Sequence, residues 1–201
     1  VLYLENYFHL KEDLEKIGKV HVVALNLTQI SSHYSEFLAG VHIPKFDRKM
    51  GGGALMDMNI YNINFCVSLF GQPEKITYLP TIQHDTDTSG ILNLSYDDKQ
   101  ASLIAAKDAV GPTRSYIEGE KGLIYFDGPL NVLPDYYVQI GKEEAKRYNF
   151  NKYSHRMISE FNYFAQKIKN HDQQAADEAY EHSLNAIIVL EKAQEFLPKN
   201  D

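Results

Sequence analysis

Gly51-Gly52-Gly53-Ala54-Leu55-Met56-Asp57-Met58-Asn59-Ile60-Tyr61, running on through Asn62–Phe70 to Gly71-Gln72-Pro73, is the stretch on which the reading of this chain turns. Residues 54–70 are too many for a strand, and Gly71 and Pro73 form a standard helix stop. Leu55, Met56, Ile60, Ile63, Phe65, Cys66, Val67 and Leu69 lie almost all the way round that helix, so it is expected to be buried. Asp57 is the anomaly, because a buried carboxylate is costly unless it is paired or hydrogen-bonded. Tyr61 follows four residues later on the same face, with Asn64 at i+7. Carboxylate and phenol could point together into one cavity, Asp57 orienting a substrate and Tyr61 giving or taking a proton. Alternatively, Asp57 complements the helix N-terminus and Tyr61 belongs to the core. The three glycines allow unusual backbone angles and close approach of a ligand, or simply room for packing. They are not a dinucleotide fingerprint: Met56 stands where the third glycine of G-x-G-x-x-G belongs, and HIPKFDRKM before them does not read as a core strand.

Upstream, Tyr7, Leu10, Leu14 and Ile17 form one apolar stripe of a helix over 7–17, with Glu12 and Lys16 as an i, i+4 pair and Gly18 as its stop. VHVVALNL at 20–27 reads as a strand. Residues 29–50 have no clear period and make a long loop of the kind that is often functional. Its Tyr34, Lys45 and Arg48 are candidates for holding a hydroxylated or anionic substrate. Downstream, the period changes to two. Strands are expected at Ile76–Ile82, Gly90–Tyr96, Gln100–Ala106, Arg114–Glu118, Gly122–Phe126 and Tyr136–Ile140. Asp97-Asp98-Lys99 and Gly119-Glu120-Lys121 serve as tight turns between them. Short connections imply an antiparallel sheet. Two helices close the chain. Met157, Phe161, Phe164, Ala165 and Ile168 share a face of the first, and His155, just before it, is a further candidate for the cavity. Ala179, Ser183, Ala186, Leu190, Ala193 and Leu197 share a face of the second. Segregated helices and sheet define an α+β fold: a large, open, mostly antiparallel sheet covered on one face by helices.

Composition narrows the function. The 201 residues carry a formal charge of −7, which disfavours a nucleic-acid partner held by phosphate neutralisation. No apolar run is long enough to span a membrane. One cysteine, Cys66, cannot form an internal disulfide and fits a reducing cytoplasm. It reads as inert core, mid-helix. The eight histidines show no metal-ligand spacing, so no metal is expected.

The segment Gly51–Asp57, followed by Tyr61 and Leu69-Phe70-Gly71, resembles the GGGxLxDxGxY/H…LxG segment of the Gfo/Idh/MocA oxidoreductases. Ile17-Gly18-Lys19-Val20 is similar to that family's entry into the first strand of its C-terminal domain. Glu118-Gly119-Glu120-Lys121-Gly122 resembles its G-x-x-G hairpin. Glu160-Phe161, Phe164 and Glu181–Ala193 resemble its closing helices. The resemblance implies a glyceraldehyde-3-phosphate-dehydrogenase-like C-terminal domain spanning 1–201, with the NAD(P)-binding Rossmann domain and its E-K-P lysine absent from this chain. It implies hydride transfer between NAD or NADP and a sugar, polyol or related hydroxy or carbonyl compound. Asp57 would be the site carboxylate, and Tyr61 would stand where many relatives have His. Tyr34, Lys45, Arg48, Asn64 and His155, singled out above from the residues alone, are then the candidates to meet the substrate, and Gly52 and Gly53 the cofactor. Asn59 departs from the usual Gly. A phenol ordinarily keeps its proton at neutral pH, which favours donation and hence carbonyl reduction. The resemblance also implies a homodimer or homotetramer through the open sheet face and, for this chain alone, no turnover. A sensing homologue of the same fold, or a free-standing interaction domain, are the competing expectations.

Overall fold

The computed structural model describes residues 1–198. Eight strands form one sheet: β1 Val20–Thr28, β2 Lys75–Gln83, β3 Thr86–Ser95, β4 Gln100–Ala106, β5 Arg114–Gly119, β6 Gly122–Asp127, β7 Tyr136–Ile140 and β8 Lys146–Tyr148. Their spatial order is β2-β3-β4-β1-β5-β6-β7-β8. Two meanders, β2–β4 and β5–β8, are thus joined through β1, which runs parallel to β4 and antiparallel to β5. All other pairs are antiparallel, as their short turns require. The expected strands are present. β8 is additional: Lys146-Arg147-Tyr148 lacks an apolar alternation because it is a charged edge strand, a composition that discourages further pairing.

Side chains alternate across the sheet with period two. Ile76, Leu94, Ala101, Val23, Ile117, Ile124 and Val138 form one row, in register from β2 to β7. Beside it runs a second buried row, Tyr78–Leu92–Leu103–Leu25. Both rows face the helices: α1 Glu5–Asp13, α3 Ile60–Phe70 and α5 Gln173–Gln194. Phe65 on α3 packs edge-on against Phe126 of β6 and Tyr7 of α1. Ala186, Val189, Leu190 and Ala193 bury one stripe of α5. The opposite face of the sheet carries Val22, Leu79, Ile91 and the ladder Tyr116–Tyr125–Tyr137, and among the described residues no helix lies on it.

Three local expectations change. The N-terminal helix tightens at Leu14–Ile17 into a 3₁₀ turn, and Lys16 pairs with Asp13 at 2.5 Å rather than with Glu12. The long loop holds a short helix, α2 Tyr34–Leu38, and 3₁₀ turns at Pro44–Phe46 and Arg48–Met50. Helix α4, Arg156–Lys169, buries none of its residues, and Phe161 and Ile168 are 67% and 75% exposed. Its apolar face exists, but among the described residues it is covered only in part, Tyr3 packing against Tyr163 and Phe164. Among the described residues no helix is long and apolar enough to cross a membrane.

Candidate active site

The glycine segment does not enter α3 directly. Leu55–Asn59 forms a π-helical turn, and α-helical geometry begins at Ile60. Such turns widen the backbone and recur at functional sites. Asp57 stands in the middle of this one.

Two buried charged side chains hold the turn. Asp87, at the start of β3, accepts hydrogen bonds through Oδ2 from the Leu55 amide (2.6 Å) and the Tyr78 hydroxyl (2.9 Å). It therefore takes the place of an external anion at the helix start. Burial pushes its carboxyl above the ordinary carboxylate range, against those two bonds and the charge of Arg48, which pull it down. The glycines make room for this arrangement. Gly53 has φ +98°, and a Cβ there would sit 2.2 Å from Asp87 Oδ1. A Cβ on Gly52 would meet the Asp47 amide nitrogen at 2.6 Å. The space at both glycines is filled by the protein's own atoms.

The second charged group is Lys107, one residue past β4, with its side chain 3% exposed. Its Nζ donates to Asp57 Oδ2 at 2.6 Å and to the Lys45 carbonyl at 2.5 Å. It also lies 4.8 Å over the Phe46 ring, which stacks on Phe37 with ring centroids 4.2 Å apart. Asp57 itself is not buried. Its side chain is 43% exposed, so the charge that the interior holds is the lysine's, not the carboxylate's. Lys107 escaped the sequence reading, although a signal was present: Ala101, Leu103 and Ala105 face the helices, and the next inward position of period two is 107.

Tyr61 is half-buried against Leu27, Ala54, Met58 and Ala105, with the Arg156 guanidinium 5.8 Å over its ring. It thus lies just beyond the π turn that carries Asp57, on a small apolar cluster at the ends of β1 and β4. The remaining candidates are scattered. The Tyr34 hydroxyl donates to Gln83 Oε1 at 2.9 Å. Lys45 contributes its carbonyl to Lys107, and Arg48 Nη1 donates to the Pro198 carbonyl at 2.9 Å. Asn64 turns away: its Nδ2 donates to the Ile60 carbonyl, and its Oδ1 lies 3.2 Å from His182 Nε2 on α5. Burial lowers the pKa of that histidine. His155 caps α4, its Nδ1 accepting from the Met157 amide at 3.3 Å. Asn59 is wholly buried and donates to the Leu103 carbonyl at 3.1 Å, fastening the π turn to β4. Cys66 is buried too, and burial pushes its thiol up to about 12, so it is inert.

A cleft of about 420 Å³ opens beside this group, lined by Phe37, His42, Phe46, Arg48, His84 and Asp85 among others. It contains neither Asp57 nor Tyr61. Phe46 stands between it and Lys107, and its cationic and acidic side chains are balanced.

A family model described as the GFO/IDH/MocA C-terminal domain matches residues 13–125, more than half of the chain. The chain belongs to this oxidoreductase family. It is 28% identical over 195 residues to scyllo-inositol 2-dehydrogenase (NADP(+)) IolU of Bacillus subtilis, covering 96% of this chain and 58% of that protein. It is 29% identical over 125 residues to an uncharacterized oxidoreductase, YgjR, of Escherichia coli, covering 62% of this chain and 38% of that one. Among solved structures, KijD10, a 3-ketoreductase from Actinomadura kijaniata in complex with NADP and TDP-benzene, superposes with a TM-score of 0.76. That likeness covers 96% of this chain and 59% of KijD10 at 16% identity, and it concerns the fold. The chain therefore spans less than two thirds of the length of these relatives. The expected architecture, an open and mostly antiparallel sheet with helices on one face, is that of the family's C-terminal domain.

Proposed function

We propose that this chain is the substrate-binding half of an NAD(P)-dependent oxidoreductase that interconverts a hydroxyl and a carbonyl on a sugar, polyol or related compound. The observation that carries the reading is a half-exposed carboxylate, Asp57, on a widened helical turn, with a phenol, Tyr61, four residues on at the start of α3. The relatives support it: one is named for an NADP-dependent inositol oxidation, and another is a ketoreductase. Gly52 and Gly53 offer no cradle, since protein atoms fill the space beside them. The cofactor's phosphates are therefore assigned to a nucleotide-binding region outside residues 1–198. The bound nicotinamide supplies the hydride acceptor or donor. Asp57 accepts a hydrogen bond from a substrate hydroxyl and orients the ring. Tyr61 donates its proton to the reacting oxygen when a carbonyl is reduced.

The test is turnover by the full-length protein with NADP⁺ and NAD⁺ against inositols, aldoses and their keto forms. Asp57→Asn and Tyr61→Phe are each expected to lower kcat/KM by about 10²-fold or more. Unchanged values in both would remove the assignment, and cofactor binding without turnover would favour a sensor. The 201-residue chain alone is expected to turn nothing over.

The helix-free sheet face, with Leu79 59% exposed and Tyr125 and Tyr137 stacked at 4.8 Å, is assigned to a second copy of the protein. Leu79→Asp is expected to shift the full-length protein towards monomer in light scattering. A wild type that is monomeric at high concentration would refute this.

A further inference from the structure

Lys107 has a position that packing does not require. Its amide donates to the Thr88 carbonyl at 2.8 Å, and its own carbonyl accepts from the Ser31 amide at 2.8 Å. Its backbone is thereby fixed between β3 and the loop that leaves β1. From that anchor the side chain runs through the interior to meet one carboxylate oxygen, one loop carbonyl and one aromatic face. Burying an ammonium costs more than its ion pair returns unless the geometry is close to ideal. An apolar side chain of similar length is usually as stable in such a place. The use of the charge must be sought in what it does to its partners.

Both partners belong to the site. Lys107 takes Asp57 Oδ2, and Oδ1 has no hydrogen bond among the described residues. The same ammonium, through the Lys45 carbonyl, ties the loop bearing Phe46 and Arg48 to the π turn. That carbonyl also accepts from the Gly53 amide at 3.1 Å. We propose that Lys107 is a positioning residue: it occupies one oxygen of Asp57 so that the other is aimed at a substrate hydroxyl, and it locks the 44–50 loop against the start of the helix. The proposal rests on reading Asp57 as a site carboxylate.

The experiment is a double-mutant cycle in the full-length protein with Lys107→Met, Asp57→Asn and the double variant. It is read as kcat/KM alongside the unfolding midpoint, with Lys107→Gln as a second variant should the first fold poorly. Misplacing a reacting group by about 1 Å costs on the order of 10²-fold, and a loss of about that size is expected for Lys107→Met at near-wild-type stability. In the Asp57→Asn background the same substitution is expected to change kcat/KM by no more than about twofold, because a residue acting through Asp57 has nothing left to act on. Equal losses in both backgrounds would overturn the proposal, as would a Lys107→Met enzyme with unaltered kcat/KM. Carbon-13 NMR of the Asp57 carboxyl in the 201-residue chain decides the matter if Asp57→Asn leaves no measurable rate. Lys107→Met should move that resonance, and an unmoved resonance means that Lys107 does not hold Asp57. If Asp57→Asn is fully active, the functional reading fails, while the NMR result still reports on the contact.

Discussion

Lys107–Asp57 and Arg114–Asp127 are both close ion pairs whose cations sit at the ends of central strands, β4 and β5, yet they lie on opposite faces of the sheet. The arginine pair is bidentate in form, with Nη2 donating to Asp127 Oδ2 at 2.7 Å, and both side chains are about half exposed. Hydrogen bonding to Asp127, and then to Tyr116, raises the pKa of Arg114 further, which changes nothing for a group that is always charged. The lysine pair is a single contact, but its cation is out of water. Geometry alone would rank the arginine pair higher. Environment reverses the ranking: water screens a lost partner on the open face and cannot do so beneath the helices.

The sharpest way to break this comparison is to delete one partner at a time. Asp57→Ala strands the Lys107 ammonium with a carbonyl and a ring, and a loss of about 2 kcal/mol is expected in urea unfolding. Lys107→Met, which removes the buried charge itself, is expected to stay within about 1 kcal/mol of wild type. Equal losses would mean that the lysine is solvated. A smaller effect sharpens the same point through pH. The Asp87 carboxyl is raised in the folded state, chiefly by burial, above its ordinary value of 3.8. In the window between those two values the folded state binds more protons than the unfolded one, so its contribution to stability declines as pH rises. Compared with Asp87→Asn, the wild type should lose stability as pH climbs from about 3.8 through that window. An identical pH profile in the two proteins would contradict the shift. The smallest effect is expected on the open face: Arg114→Ala should leave the unfolding midpoint of the monomer unchanged. A clear drop would place that pair in a drier environment than the sheet face provides.

The same contrast explains what the sequence made legible. The alternation of Val23, Leu25, Leu92, Leu94, Ala101 and Leu103 announces a sheet with one covered face, because burial acts on every second residue. The all-round apolar character of residues 54–70 likewise announces a buried helix. The site was legible in part. Asp57 was visible as a polar residue in an apolar run, but its exposure was not, because the π turn that brings it outward leaves no periodic trace over five residues. Lys107 and Asp87 were missed for a different reason. Each is a single charged residue at the end of a strand, where solvated charges are common. Only contacts fifty and thirty-two residues distant along the chain give them their partners. For Asn64 and His155, helical spacing fixes a direction around an axis but not what packs there. Here α5 claimed the first and the start of α4 the second.

The placement of β1 carries one more consequence. The strand that comes first in the chain pairs in register with Gln100–Ala106 on one side and with residues from Tyr116 onward on the other. It can join neither neighbour until most of the chain has been made. The β2–β4 and β5–β7 meanders close through short local turns, whereas β1 must shut a long loop before any of its ladder bonds form. Refolding should therefore show local hairpins early and a slower step in which the two half-sheets are zipped together by an N-terminal strand that has waited for both.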